Sequence, residues 1–182
     1  MNIKDEYIDK TKDYISDLRK KIDKKAMLKD EIKILKYDIQ TLKNEIKILK
    51  LRQKVNNGIN FENELGIKSN AGVKGIDDLI ITTEAQICCK EALIENKETK
   101  IENKGNEIER IKQDIRMFEL YTRELNDIEK EIIKARYFNK SKNSFRDISK
   151  KVNYAKSYVA RIHDSAIKEL AYFIFGEDAI YL

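Results

Sequence analysis

The chain has 182 residues, 38% of them charged and 41% hydrophobic, with no Pro, no Trp and six Gly, a composition that favours long helices over sheets. An all-α fold is expected, extended and without a large globular core, because the apolar residues lie in narrow stripes. The net charge of +5 is uneven: residues 134–161 hold Lys134, Arg136, Lys140, Lys142, Arg146, Lys150, Lys151, Lys156 and Arg161 against Asp147 alone, a local +8 that leaves −3 for the remainder.

Taken from the N-terminus, the segment MNIKDEYIDKTKDY is charged from Lys4 and has no apolar run of the kind a signal peptide needs. No later segment approaches ~20 uninterrupted apolar residues, so no membrane span and a cytoplasmic location are expected. A first long helix is predicted over about 3–54. Ile32, Leu35, Ile39, Leu42, Ile46 and Leu49 follow one another by three and four, the spacing of a coiled-coil seam. Ile8, Ile15, Leu18 and Ile22 form an earlier stripe in another register, which implies a phase shift near 25–28. The Lys, Glu and Asp between these positions read as a solvated outer face.

Residues 55–78 contain four of the six glycines and several Asn, and are expected to be a connector. A second helix is predicted over about 79–125, with Ile80, Ile87, Ile94, Ile101, Ile108 and Ile115 spaced by seven. Its companion positions are Lys90, Lys97 and Lys104 in the middle and become apolar only at Ile111, Phe118 and Leu125. Residues 1–125 therefore read as a coiled-coil region. Heptads alone do not set orientation, so an antiparallel helical hairpin and a parallel pairing of each helix with its copy both fit. Cys88 and Cys89 are adjacent and offer no usual structural bridge, which suits a reducing compartment. With one His and these two Cys, no metal-ligand set can be assembled, and no cofactor or metal is expected.

The period changes after Leu125. Asn126 followed by Glu129 is a cap-like start and Ser144 with Asp147 a capping-box signature, and each opens a short helix. Phe145, Ile148 and Val152 would face inward, and Asn153 stands where the chain must turn sharply. A last helix from about Lys156 would turn Val159, Ile162, Ala166, Ile167 and Leu170 inward and present Lys156, Ser157, Ala160, Arg161 and Asp164 to solvent. Such a helix-turn-helix fits the major groove of double-stranded DNA. Lys156, Ser157, Ala160 and Arg161 are the candidate base readers, with Arg161 foremost because a guanidinium bonds guanine in a bidentate way. Lys140, Lys142, Arg146, Lys150 and Lys151 are the candidate phosphate contacts. The closing AYFIFGEDAIYL is expected to complete this module's core against Tyr137 and Phe138, with Gly176 ending the helix. His163 is expected to pack or to meet a phosphate.

LNDIEKEIIKARYF, residues 125–138, followed by SFRDISKKVNYAKSYVARIHDSAIKEL, residues 144–170, resembles region 4 of bacterial sigma factors. The resemblance implies a helix-turn-helix DNA-binding domain over 126–182 and places Lys156, Ser157, Ala160 and Arg161 where that family reads its promoters. It also raises RNA polymerase as a partner. Ala155 stands where a capping Ser or Thr is usual, and Ala160 where a polar reader is common, so the family's target sequence does not carry over. No segment resembles sigma region 2. A coiled coil joined to a region-4-like module looks like the phage late-gene regulators of the RinA and ArpU kind.

A transcription regulator, using the coiled coil for homo-oligomerisation or for a protein partner, is therefore the expected function. A phage small-terminase-like packaging subunit and a coiled-coil adaptor that binds only protein are the alternatives. No Gly-rich phosphate loop and no nucleophile beside a base can be assembled, so no enzyme activity and no catalytic residue are expected.

Overall fold

A computed structural model describes residues 2–64, 73–139 and 143–181, with backbone alone over 55–64 and 73–80. The fold is all-α, and no strand occurs among the described residues. In chain order the helices are α1 (Asp5–Glu64), α2 (Val73–Tyr121), α3 (Asp127–Ile133) with a π-helical turn over Lys134–Phe138, α4 (Phe145–Val152) and α5 (Lys156–Phe175), closed by a 3-10 turn over Gly176–Ala179. Backbone contacts divide the chain into a mid-chain unit, Leu28–Glu107, and a terminal unit, Met1–Met27 with Ile108–Leu182.

Helix α1 runs ten residues beyond its expected end at 54, and α2 begins at Val73 and ends at Tyr121 where 79 and 125 were expected. Much of the expected connector is thus helical, and its part at 65–72 lies outside the described residues. The reason is energetic: with no Pro in the segment, each Gly or Asn in a helix costs ~1 kcal/mol or less, which a long helix tolerates.

In the mid-chain unit Ile39 and Ile46 of α1 pack on Ile87 and Ile94 of α2, with Leu42, Leu49 and Ile101 beside them. The two helices run antiparallel here. Lys90 pairs with Glu45 at 2.6 Å, Lys97 with Asp38 at 2.7 Å, and Lys104 with Glu31, so each step of seven up α2 is matched by a step of seven down α1. The lysines that looked like weak seam positions are therefore cross-helix ion pairs. Their stems lie along the seam while their ammonium groups reach carboxylates at its edge.

Three packed clusters lie among the described residues of the terminal unit. Ile15 and Leu18 of α1, Phe118 of α2, Leu125, Ile133 of α3, and Ala166, Ile167 and Leu170 of α5 form the largest. Ile132, Ile148 and Val159 form another, with Phe145, Val152 and Ile162 packed on it, which joins α3, α4 and α5. The third unites the two ends of the chain. Ile3 bridges to Ile180, Lys4 N–H donates to the Ala179 carbonyl at 2.9 Å, and Tyr7 meets Phe175 with ring centroids 5.1 Å apart.

This corrects the expectation for the C-terminal rings. Phe175 and Ile180 pack against Ile3, Tyr7 and Ile8, and only Ile174 joins the cluster that holds Tyr137 and Phe138. Tyr172 and Tyr181 are exposed. Gly176 ends α5 at φ 63°, ψ −141°, a conformation costly for any residue with a Cβ, and its N–H closes on the Tyr172 carbonyl.

Candidate nucleic-acid interface

Two capping boxes aim the short helices. Asn126 accepts from Glu129 N–H while the Glu129 carboxylate accepts from Asn126 N–H, both at 2.9 Å, and this buried carboxylate fixes the start of α3. Ser144 and Asp147 repeat the device at α4, and the hydrogen bonds from Ser144 hold the Asp147 carboxyl below the usual carboxylate range. Asn153 then takes the left-handed conformation, φ 56° and ψ 41°, and turns the chain into α5 within three residues. Ala155 precedes α5 and supplies no side-chain cap.

Ile148 and Val159, both fully buried, lock α4 onto α5. That contact decides which side of α5 is free. Lys156, Ser157 and Arg161 are exposed on its first turns, and Ala160 is half-buried among them. Arg146, Lys150 and Lys151 are exposed on α4, the two lysines in its last turn. Lys140 and Lys142 lie outside the described residues. Lys151 also stands at the edge of a groove of ≈ 800 Å³, whose floor includes Leu18, Phe118, Ile133 and Phe138 and whose rim includes Lys130 and Lys134.

Two side chains at the turn and the start of α5 escaped the sequence reading. Tyr154 and Tyr158 are 42% and 38% exposed, their ring centroids 5.3 Å apart, and the guanidinium of Arg161 lies over the Tyr158 ring at 5.1 Å. The stack limits the rotamers open to Arg161 before any ligand arrives. For Tyr158 and Arg161 the spacing was a usable signal, since residues three apart share a helix face, whereas Tyr154 lies in the turn before α5.

Arg136 has an internal task. Its Nη1 donates to the Asn143 carbonyl at 2.6 Å and its guanidinium covers the Phe145 ring at 4.8 Å, so it ties the π-helical turn to the start of α4. His163 is buried, stacked on Tyr137 and met edge-on by Phe145. With the Asp164 carboxylate 3.0 Å from Nδ1, that nitrogen carries the hydrogen and Nε2 accepts the Tyr137 O–H at 3.1 Å. Burial lowers the imidazole pKa, and Asp164 opposes the shift in part. Burial likewise raises that of the Tyr137 phenol.

Of the two roles expected for His163, the structure thus shows packing. Among the described residues no group of His, Cys, Asp and Glu could hold a metal ion, and no helix is long and apolar enough to cross a membrane. Comparison with family models, with curated proteins and with solved structures finds no match.

Proposed function

We propose that the chain is a sequence-specific DNA-binding transcription regulator, phage or prophage encoded and cytoplasmic, whose role is binding and not catalysis. In this reading α4, the turn at 153–155 and α5 are a helix-turn-helix of the sigma region 4 kind over 126–182. The paired α1 and α2 are a coiled-coil hairpin that serves oligomerisation or a protein partner. RNA polymerase is the partner the resemblance suggests.

One observation carries the reading. Arg146, Lys150 and Lys151 are exposed on α4, and Lys156 and Arg161 are exposed on the first turns of α5, whose other side is buried. Arg161 would read a guanine, Lys156 and Ser157 would meet neighbouring base edges, and the α4 cations would meet phosphates.

The test is binding of the full chain to a random duplex library at two salt concentrations. An enriched motif is expected, weakening as salt rises. Arg161→Ala should lose roughly 1–3 kcal/mol on the preferred site and blur the motif at one position, while Lys150→Ala should weaken all sequences alike and lower the salt slope by about one. Equal loss on every sequence for Arg161→Ala removes it as a reader. A protein with no salt-sensitive DNA binding belongs to the adaptor class instead, and rings of many copies would favour the packaging subunit.

A further inference from the structure

Helix α1 carries a second periodic stripe, and α2 does not cover it. Ile34, Tyr37, Thr41, Asn44, Ile48 and Leu51 follow one another by three and four, and all six are exposed. Ile34 is 62% exposed, Tyr37 75%, Ile48 50% and Leu51 54%. Scattered apolar side chains on a surface need no explanation, but four large ones repeating at heptad spacing along one face do. The seam with α2, through Ile39, Leu42, Ile46 and Leu49, accounts for a different face of the same helix. The outer face is open to solvent, as its Lys, Glu and Asp suggested, but it is not wholly polar.

The polar members of the stripe fit a helix partner. Thr41 and Asn44 occupy its middle, and polar residues in such a seam favour the register that pairs them with each other, at some cost in stability. The flanking charges indicate which helix would fit. Lys33, Gln40, Lys47 and Lys54 border one side of the stripe, and Asp38, Glu45 and Arg52 border the other.

When two copies of α1 lie parallel, Lys33 of each meets Asp38 of the other and Gln40 meets Glu45, while only Lys47 against Arg52 is like-charged. When they lie antiparallel, Lys33 faces Lys54 and Asp38 faces Glu45, both repulsive, and Glu31 against Arg52 is the one attractive pair. Asp38 and Glu45 already pair with Lys97 and Lys90, yet their side chains keep 40% and 45% exposure, so each can accept a further donor.

We propose that this face of α1 docks a second copy of the chain, through a parallel two-stranded coiled coil. The assignment stands on the stripe and its flanks, independently of DNA binding. It gives the molecule two seams on one helix, one turned to its own α2 and one to the copy.

The test is sedimentation equilibrium of the full chain over about 1–100 μM, with far-UV circular dichroism to verify helicity. The expected mass is twice that of one chain, and Ile48→Glu should raise the dimer Kd by at least roughly 30-fold with helicity retained. Lys33→Asp alters a side chain that is 77% exposed and should raise the Kd by roughly 3- to 10-fold. Orientation is read from Tyr37→Cys in a Cys88→Ser, Cys89→Ser background, which should oxidise to a disulfide-linked dimer because parallel copies bring residue 37 against itself. A monomer at 100 μM overturns the proposal, as does a dimer that neither Ile48→Glu nor Lys33→Asp weakens. A dimer that fails to cross-link at residue 37 overturns the parallel arrangement.

Discussion

The terminal unit and the mid-chain unit are built from the same two long helices in part, yet they use them differently. In the terminal unit Ile15, Ile132, Ile148, Val159 and Leu170 are all at 0% exposure, surrounded by neighbours from several elements. In the mid-chain unit the seam residues Ile39, Ile46, Ile87 and Ile94 keep 8% each, and Lys90 and Lys97 between them pair with acids at the seam's edge. Several helices meeting at angles can enclose a side chain on all sides, whereas two helices can cover only one stripe of each other. The first arrangement concentrates stability. The second distributes it and assigns the choice of register to charge.

The largest expected effect sharpens that contrast. Leu170→Ala should cost about 2–5 kcal/mol, because the cavity it leaves cannot reach solvent, whereas Ile46→Ala should fall at or below the low end of that range. Urea unfolding of the two variants checks the order, and equal losses would break the comparison.

The lysines come next. Replacing Lys90, Lys97 and Lys104 together by Leu should raise the thermal midpoint of the mid-chain helices, because half-exposed ion pairs contribute about 0–1 kcal/mol each and added apolar contact contributes more. It should also loosen the antiparallel register, seen as new self-association by light scattering. A lower midpoint would mean that the ion pairs stabilise the seam as well as specify it.

A pH effect should be confined to the terminal unit. Burial holds the folded-state pKa of His163 below the ordinary value of about 6.5, so the unfolded chain takes up the proton first. The contribution of the neutral imidazole is complete above about 6.5 and is lost as pH falls from there through the lowered folded value. Denaturation between pH 7.5 and 5 should show the decline, and His163→Phe should flatten it whatever it does to overall stability.

The smallest effects are local and opposite in origin. Gly105→Ala in α2 should stabilise the mid-chain unit by about 0.5–1 kcal/mol, since nothing lies within 4 Å of an added Cβ and the unfolded chain loses freedom. Ala155→Ser should give a similar gain of about 0.5–1 kcal/mol in the terminal unit by supplying the missing cap of α5. Thermal melts resolve both.

The capping boxes at 126–129 and 144–147, the turn at Asn153, the buried side of α5 and the Ile seam were all legible in the sequence. Each depends on residues within a few positions of one another, where backbone geometry alone decides which side chains meet. The phase shift near 25–28 was legible too, and the boundary between the two units falls there. The candidate interface was legible as composition, a run of cations with one acid. Arg136 was counted in that run as charge alone, because the carbonyl and the ring it meets lie seven and nine residues away across a segment with no fixed geometry in the sequence.

What the sequence by itself determined is therefore helical content, the seam positions, the helix starts of the C-terminal segment and the placement of positive charge. Tertiary structure alone decided three things. It paired Lys90, Lys97 and Lys104 with acids more than forty residues distant, which a periodicity cannot foresee because it describes one helix at a time. It brought residues 3–8 onto 175–181 and so turned the C-terminal rings toward the start of the chain. It also set α1 against α2 within one chain, leaving Ile34, Tyr37, Ile48 and Leu51 uncovered, because a helix with apolar residues on two faces can bury only one of them against a single partner.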